Sequence, residues 1–174
     1  MKSLGLAGGL ILAATTATAQ PPAPAAEHEP LLTLVGDWSG GGSFLGGTVK
    51  GELKCERFTG GFHVVCRARY DFTKEGAVQP YEEIALVGYS AEEKAYVWQG
   101  VNSFGWTPVG TIRGRREPDG WTWTQETREN GQAVSYRWVF VQSQDRLAIK
   151  GTSTAVGAAP VVFADIVYTR PSPR

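Results

Sequence analysis

The stretch WTWTQETRENGQAVSYRWVF, residues 121–140, decides the fold. Asn130-Gly131 lies at its centre, and this dipeptide favours the two positive-φ positions of a type I′ hairpin turn. Pairing outward from that turn sets Thr127 opposite Val134, Gln125 opposite Tyr136, Trp123 opposite Trp138 and Trp121 opposite Phe140. The other face carries Thr122, Thr124, Glu126, Ser135, Arg137 and Val139. A ribbon with one apolar and one polar face buries the apolar one. Each buried aromatic side chain contributes about 1.5–3 kcal/mol, so the indole face must be interior.

A second ribbon registers in the same way. Thr59-Gly60-Gly61-Phe62 reads as a turn, which sets Cys55 opposite Cys66, Leu53 opposite Ala68, Gly51 opposite Tyr70 and Val49 opposite Phe72. The outer face then pairs Lys50 with Asp71 and Glu52 with Arg69. Slipping by one residue would scramble both faces. Lys54 falls opposite Arg67, a like-charge pair flanked by Glu52 and Glu56. The facing cysteines predict a cross-strand disulfide in an oxidising compartment.

The same period-two pattern, broken by Gly, Asn, Asp and Pro clusters, runs along most of the chain. It predicts strands near 37–45, 47–58, 62–73, 80–90, 94–102, 106–116, 120–129, 132–142, 145–154 and 161–169. One short helix is expected over Glu29–Val35, with Pro30 in its first turn and Gly36 beyond its end. Successive short turns favour an all-β, antiparallel up-and-down barrel of about ten strands, since closure removes exposed edges. A two-sheet sandwich is the alternative.

The ends of the chain carry other signals. Lys2, the uncharged run Leu4–Ala14 and Ala17-Thr18-Ala19 form a signal-peptide pattern over residues 1–19. The run is too short and glycine-rich for a spanning helix, which needs about 20 apolar residues. Cleavage there predicts a periplasmic or secreted protein with no membrane segment left. Residues 20–28 read as a Pro/Ala linker, 29–170 as a single barrel domain and 171–174 as a disordered tail.

Composition excludes several function classes. The 17 Lys and Arg balance 17 Asp and Glu, so no basic stripe exists for nucleic acid. Two Cys cannot build a four-thiolate zinc site, and two His leave little for a His-rich metal site or a triad. No metal or cofactor is expected. The Gly36–Gly47 run is no phosphate loop, because no Gly-Lys-Ser/Thr follows. Glu82 and Glu83 point to opposite faces of one strand and form no glycosidase pair. His28 falls in the linker, and His63 sits beside a turn on the charged face.

Gly36-Asp37-Trp38 opens the first strand and Tyr168-Thr169-Arg170 ends the last. This resembles the calycin (lipocalin-like) pattern, which implies that Trp38 and Arg170 stack to close the barrel. Trp38 and Gly40 also match the G-x-W-x-G of nitrobindin-like haem barrels. Those barrels ligate haem through a His near the chain end, and this chain has none after His63. A wider resemblance covers residues 31–170: LVGDWSG (34–40), GGF (60–62), LVGYSAEEKAYV (86–97), NSFG (102–105) and IVYTR (166–170). It is similar to the bacterial family DUF1579, which implies a lipocalin-like barrel, no established activity and no catalytic residues to carry over.

An aromatic interior with a few polar groups describes a pocket for a small apolar ligand. The candidate binding residues are Tyr70, Trp98, Trp123, Gln125, Tyr136 and Trp138, with Gln125 and Tyr136 orienting the ligand. A filled core in which Tyr and Gln satisfy one another fits the same pattern. An enzyme acting on a small lipophilic substrate and a protein-interaction scaffold are the other readings.

Overall fold

Alternation of core-facing and water-facing side chains shapes the strands, and short connections join most of them to the next. The computed structural model describes residues 23–58, 60–105 and 111–171. The expected signal peptide, the start of the linker, Thr59, residues 106–110 and most of the expected tail lie outside the described residues. The strands are β1 (Gly36–Phe44), β2 (Gly47–Arg57), β3 (His63–Lys74), β4 (Ala77–Ser90), β5 (Ala95–Asn102), β6 (Ile112–Glu117), β7 (Gly120–Glu129), β8 (Gln132–Gln142), β9 (Arg146–Ala155) and β10 (Val161–Thr169). They follow one another round a closed antiparallel barrel, and β1 pairs with β10.

Both ribbons keep the register expected from their turns. Trp121 and Trp123 are 0% and 1% exposed, so the indole face is interior. Cys55 and Cys66 are joined as a disulfide across β2 and β3, with Cα atoms 4.0 Å apart. Outside, Glu56 bridges the like-charged Lys54 and Arg67 at 3.0 and 3.6 Å, and Arg69 meets Glu82 at 3.3 Å. These exposed pairs contribute little to stability.

Three elements differ in detail from their sequence reading. The helix is a 3₁₀ helix over Ala26–Leu34, beginning before Glu29. Pro30 inside it has no N–H for an α-helical ladder, which suits a short, tight helix. His28 belongs to this helix rather than to a linker, edge-on to Phe62 and Tyr89 with ring centroids 5.2 and 5.9 Å away. In β10 the register shifts between Val162 and Ala164, and Phe163 takes a place on the barrel interior. The sixth strand is described only from Ile112.

The helix floors one end of the barrel. Leu31 and Leu34 are buried. The Trp38 indole donates to the Leu34 carbonyl at 3.1 Å, and the Tyr96 hydroxyl donates to the Glu27 carbonyl at 2.9 Å. The Arg170 guanidinium lies 4.2 Å from the Trp38 ring centroid and donates to the Val35 carbonyl at 3.0 Å. The side chain that directly follows β10 thus holds both the first strand and the end of the helix.

Trp38→Ala should lower the unfolding free energy by about 3–5 kcal/mol. Arg170→Ala should lower it by about 1–3 kcal/mol through lost stacking and a lost hydrogen bond. Urea unfolding followed by circular dichroism measures both. Midpoints equal to wild type would show that this contact does not hold the seam.

Candidate functional site

Ten strands enclose more space than their inward side chains fill. A cavity of about 390 Å³ lies toward the end opposite the helix, and a smaller lobe of about 120 Å³ extends toward the floor. Among the described residues eight aromatic side chains line the main lobe. Trp98, Trp123, Gln125, Tyr136 and Trp138 are brought together on its wall, while Tyr70 lines the smaller lobe beside Cys66. Trp38 and Arg170 lie apart from it, at the floor. Leu45, 36% exposed, marks the outer rim.

One layer of the barrel explains how polar groups enter this interior. Across β10, β1, β2, β3 and β4 the register sets Tyr168, Gly40, Gly51, Tyr70 and Tyr81 side by side. A Cβ on Gly40 or Gly51 would collide with the backbone carbonyl of Val167 or Arg69. The two glycines therefore let the strands approach, and they leave the space above them to the flanking tyrosines. The hydroxyls of Tyr70 and Tyr168 share a hydrogen bond of 2.7 Å, and Tyr70 stacks on Tyr81 with centroids 5.8 Å apart. Burial raises all three phenols well above their ordinary range, so they stay protonated donors.

Glu83 stands at the junction of the two lobes and lines both. The Tyr81 hydroxyl donates to its Oε2 at 2.6 Å, and the Trp98 ring lines both lobes beside it. A Cβ at Gly100 would lie 3.3 Å from Glu83 Oε1 and 3.5 Å from Trp98 Nε1, so the absence of a side chain there gives this group its room. Burial pushes the Glu83 carboxyl up, against Tyr81 and Trp98, which favour its charged form. Glu82 is on the outside, so the adjacent glutamates do point apart.

A second carboxylate, Glu129, reaches the main lobe near the β7–β8 turn. It accepts a hydrogen bond from the Tyr136 hydroxyl, so Tyr136 is satisfied by Glu129. Burial, followed by this bond, leaves the Tyr136 phenol pushed up to about 12. The Trp123 indole N–H is buried and has no hydrogen-bond partner among the described residues.

Sequence reasoning passed over Glu83, Tyr81, Glu129, Phe44 and Phe163 as pocket residues. The signal for the first two was present: Glu75-Gly76 is a turn, and pairing outward from it sets Tyr81 opposite Tyr70. Among the described residues no group of three or more His, Cys, Asp or Glu could hold a metal ion.

A family model described as "Protein of unknown function (DUF1579)" matches residues 23–170. No curated protein matches the chain.

Burial favours the neutral form of Glu83, so its stabilising contribution is complete below the ordinary carboxylate range and is lost as pH rises through its raised value. Glu83→Gln should therefore gain stability relative to wild type as pH rises above the ordinary carboxylate range, by about 1.4 kcal/mol for each tenfold change in proton affinity. Urea unfolding of both proteins across this range measures the gain, and a difference that does not vary with pH would contradict it.

Proposed function

The chain belongs to the DUF1579 family, and from the geometry of its interior we propose that it is an exported barrel that holds a small molecule between its aromatic walls. The cavity of about 390 Å³ carries this reading. It falls within the roughly 300–1,000 Å³ range of ligand pockets, and it combines apolar walls with a few placed polar groups.

Export is supported by the leader pattern of residues 1–19 and by the disulfide, a bond favoured in oxidising compartments. Among the described residues no helix is long and apolar enough to cross a membrane. Gln125 is 5% exposed on the cavity wall, where its amide orients a bound molecule beside the Trp98 and Trp138 rings.

Titration with Prodan, a neutral naphthalene dye, tests the reading. Its emission should rise and shift to the blue on binding, with a Kd near about 1 μM. Trp123→Ala should weaken binding about tenfold or more while the far-ultraviolet dichroism is kept, since the indole is a large part of the apolar wall. An unchanged dye spectrum, together with native mass spectra showing the bare chain after purification from its own source, would contradict interior binding.

A further inference from the structure

The two cavity carboxylates are the strongest unexplained feature of the molecule. Glu83 lies between the lobes and Glu129 near the outer end of the main one, and among the described residues no Lys, Arg or His lines either lobe. The salt bridges of the described residues join exposed groups on the outside of the barrel, and none reaches Glu83 or Glu129. Among the described residues the cavity wall therefore carries two carboxyl groups with no basic side chain beside them.

The groups around Glu83 are arranged for an anion. The Tyr81 hydroxyl donates to its carboxyl at 2.6 Å, and the Trp98 indole, like Tyr81, favours its charged form. Hydrogen bonds of this kind stabilise a carboxylate but cannot neutralise it, and a buried charge is costly without a partner. The rest of the wall is aromatic, and the electron-rich faces of indole and phenol rings attract a cation within about 6 Å. The same wall disfavours an anionic ligand, which would have to enter beside two carboxylates with no basic side chain to receive it.

We propose that the cavity is selective for organic cations, namely small apolar amines whose ammonium group pairs with Glu83 while the apolar body lies among the rings. This rests on the interior-binding reading above and gives it a substrate class. Glu83 supplies the charge partner. Trp98 lines both lobes and is part of the aromatic wall around Glu83. Glu129, held by Tyr136, adds negative potential at the outer end, which favours entry of a cation.

Three probes with one skeleton separate charge from shape: phenylbutylamine, phenylbutanol and phenylbutyrate. Their affinities are measured by calorimetry on the wild-type protein and on Glu83→Gln. The amine should bind wild type about tenfold or more tightly than the alcohol, with the carboxylate weakest, and Glu83→Gln should bring amine and alcohol together while keeping alcohol binding. If Glu83→Gln no longer binds the alcohol, Glu83→Asp replaces it, and there the amine must weaken more than the alcohol. Equal affinities for the three probes, or a preference for the carboxylate, would overturn cation selectivity and leave interior binding standing. An amine preference that survives in Glu83→Gln would overturn the role given to Glu83. No binding of any probe, with no response to Prodan, would overturn both readings together.

Discussion

Pairing of β1 with β10 is the constraint on which the rest of the structure depends. An open sheet of ten strands would expose two edges and one broad aromatic face to water. Closure satisfies both edges and turns that face into an interior. The closing contact is local and mixed in character: the Arg170 guanidinium lies on the Trp38 ring and donates to the Val35 carbonyl. It fastens the last strand to the first and to the helix that floors the barrel. The Tyr70–Tyr168 bond, over Gly40 and Gly51, ties β10 to β3 across the same seam.

Closure creates an interior, and the interior then sets its own chemical problem. Aromatic side chains fill it incompletely, leaving two joined lobes. Polar groups placed there must find partners within the barrel. The tyrosines succeed: Tyr70 with Tyr168, Tyr81 with Glu83, and Tyr136 with Glu129. The two carboxylates are hydrogen-bonded but not charge-neutralised. This is a poor arrangement for stability alone, since an apolar residue at position 83 would avoid the desolvation cost. It is a good one for receiving a cation.

Much of this fold was legible in the amino-acid sequence, because its turns are chemically distinctive. Asn130-Gly131 set the register of β7 and β8, Gly60-Gly61 set that of β2 and β3, and the facing cysteines followed. Glu83 was harder to read. In β4 both faces carry apolar residues, Tyr81, Ala85 and Val87 inside and Ile84 and Leu86 outside, so alternation alone does not say which face is interior. Phe163 was out of reach, since the shift between Val162 and Ala164 that accompanies its inward placement breaks the period-two rule without a Gly or Pro to mark it. Whether the interior is hollow or filled depends on summed volumes and barrel diameter, which no residue pattern encodes.

The central claim is that this closed barrel is hollow at Glu83. A crystal structure of the oxidised protein, pressurised with xenon, tests it most directly, because apolar cavities take up the gas. The account predicts xenon density between the Trp98, Trp123 and Trp138 rings, with the Glu83 carboxyl at its edge. Rings collapsed into contact, with no density among them, would contradict it.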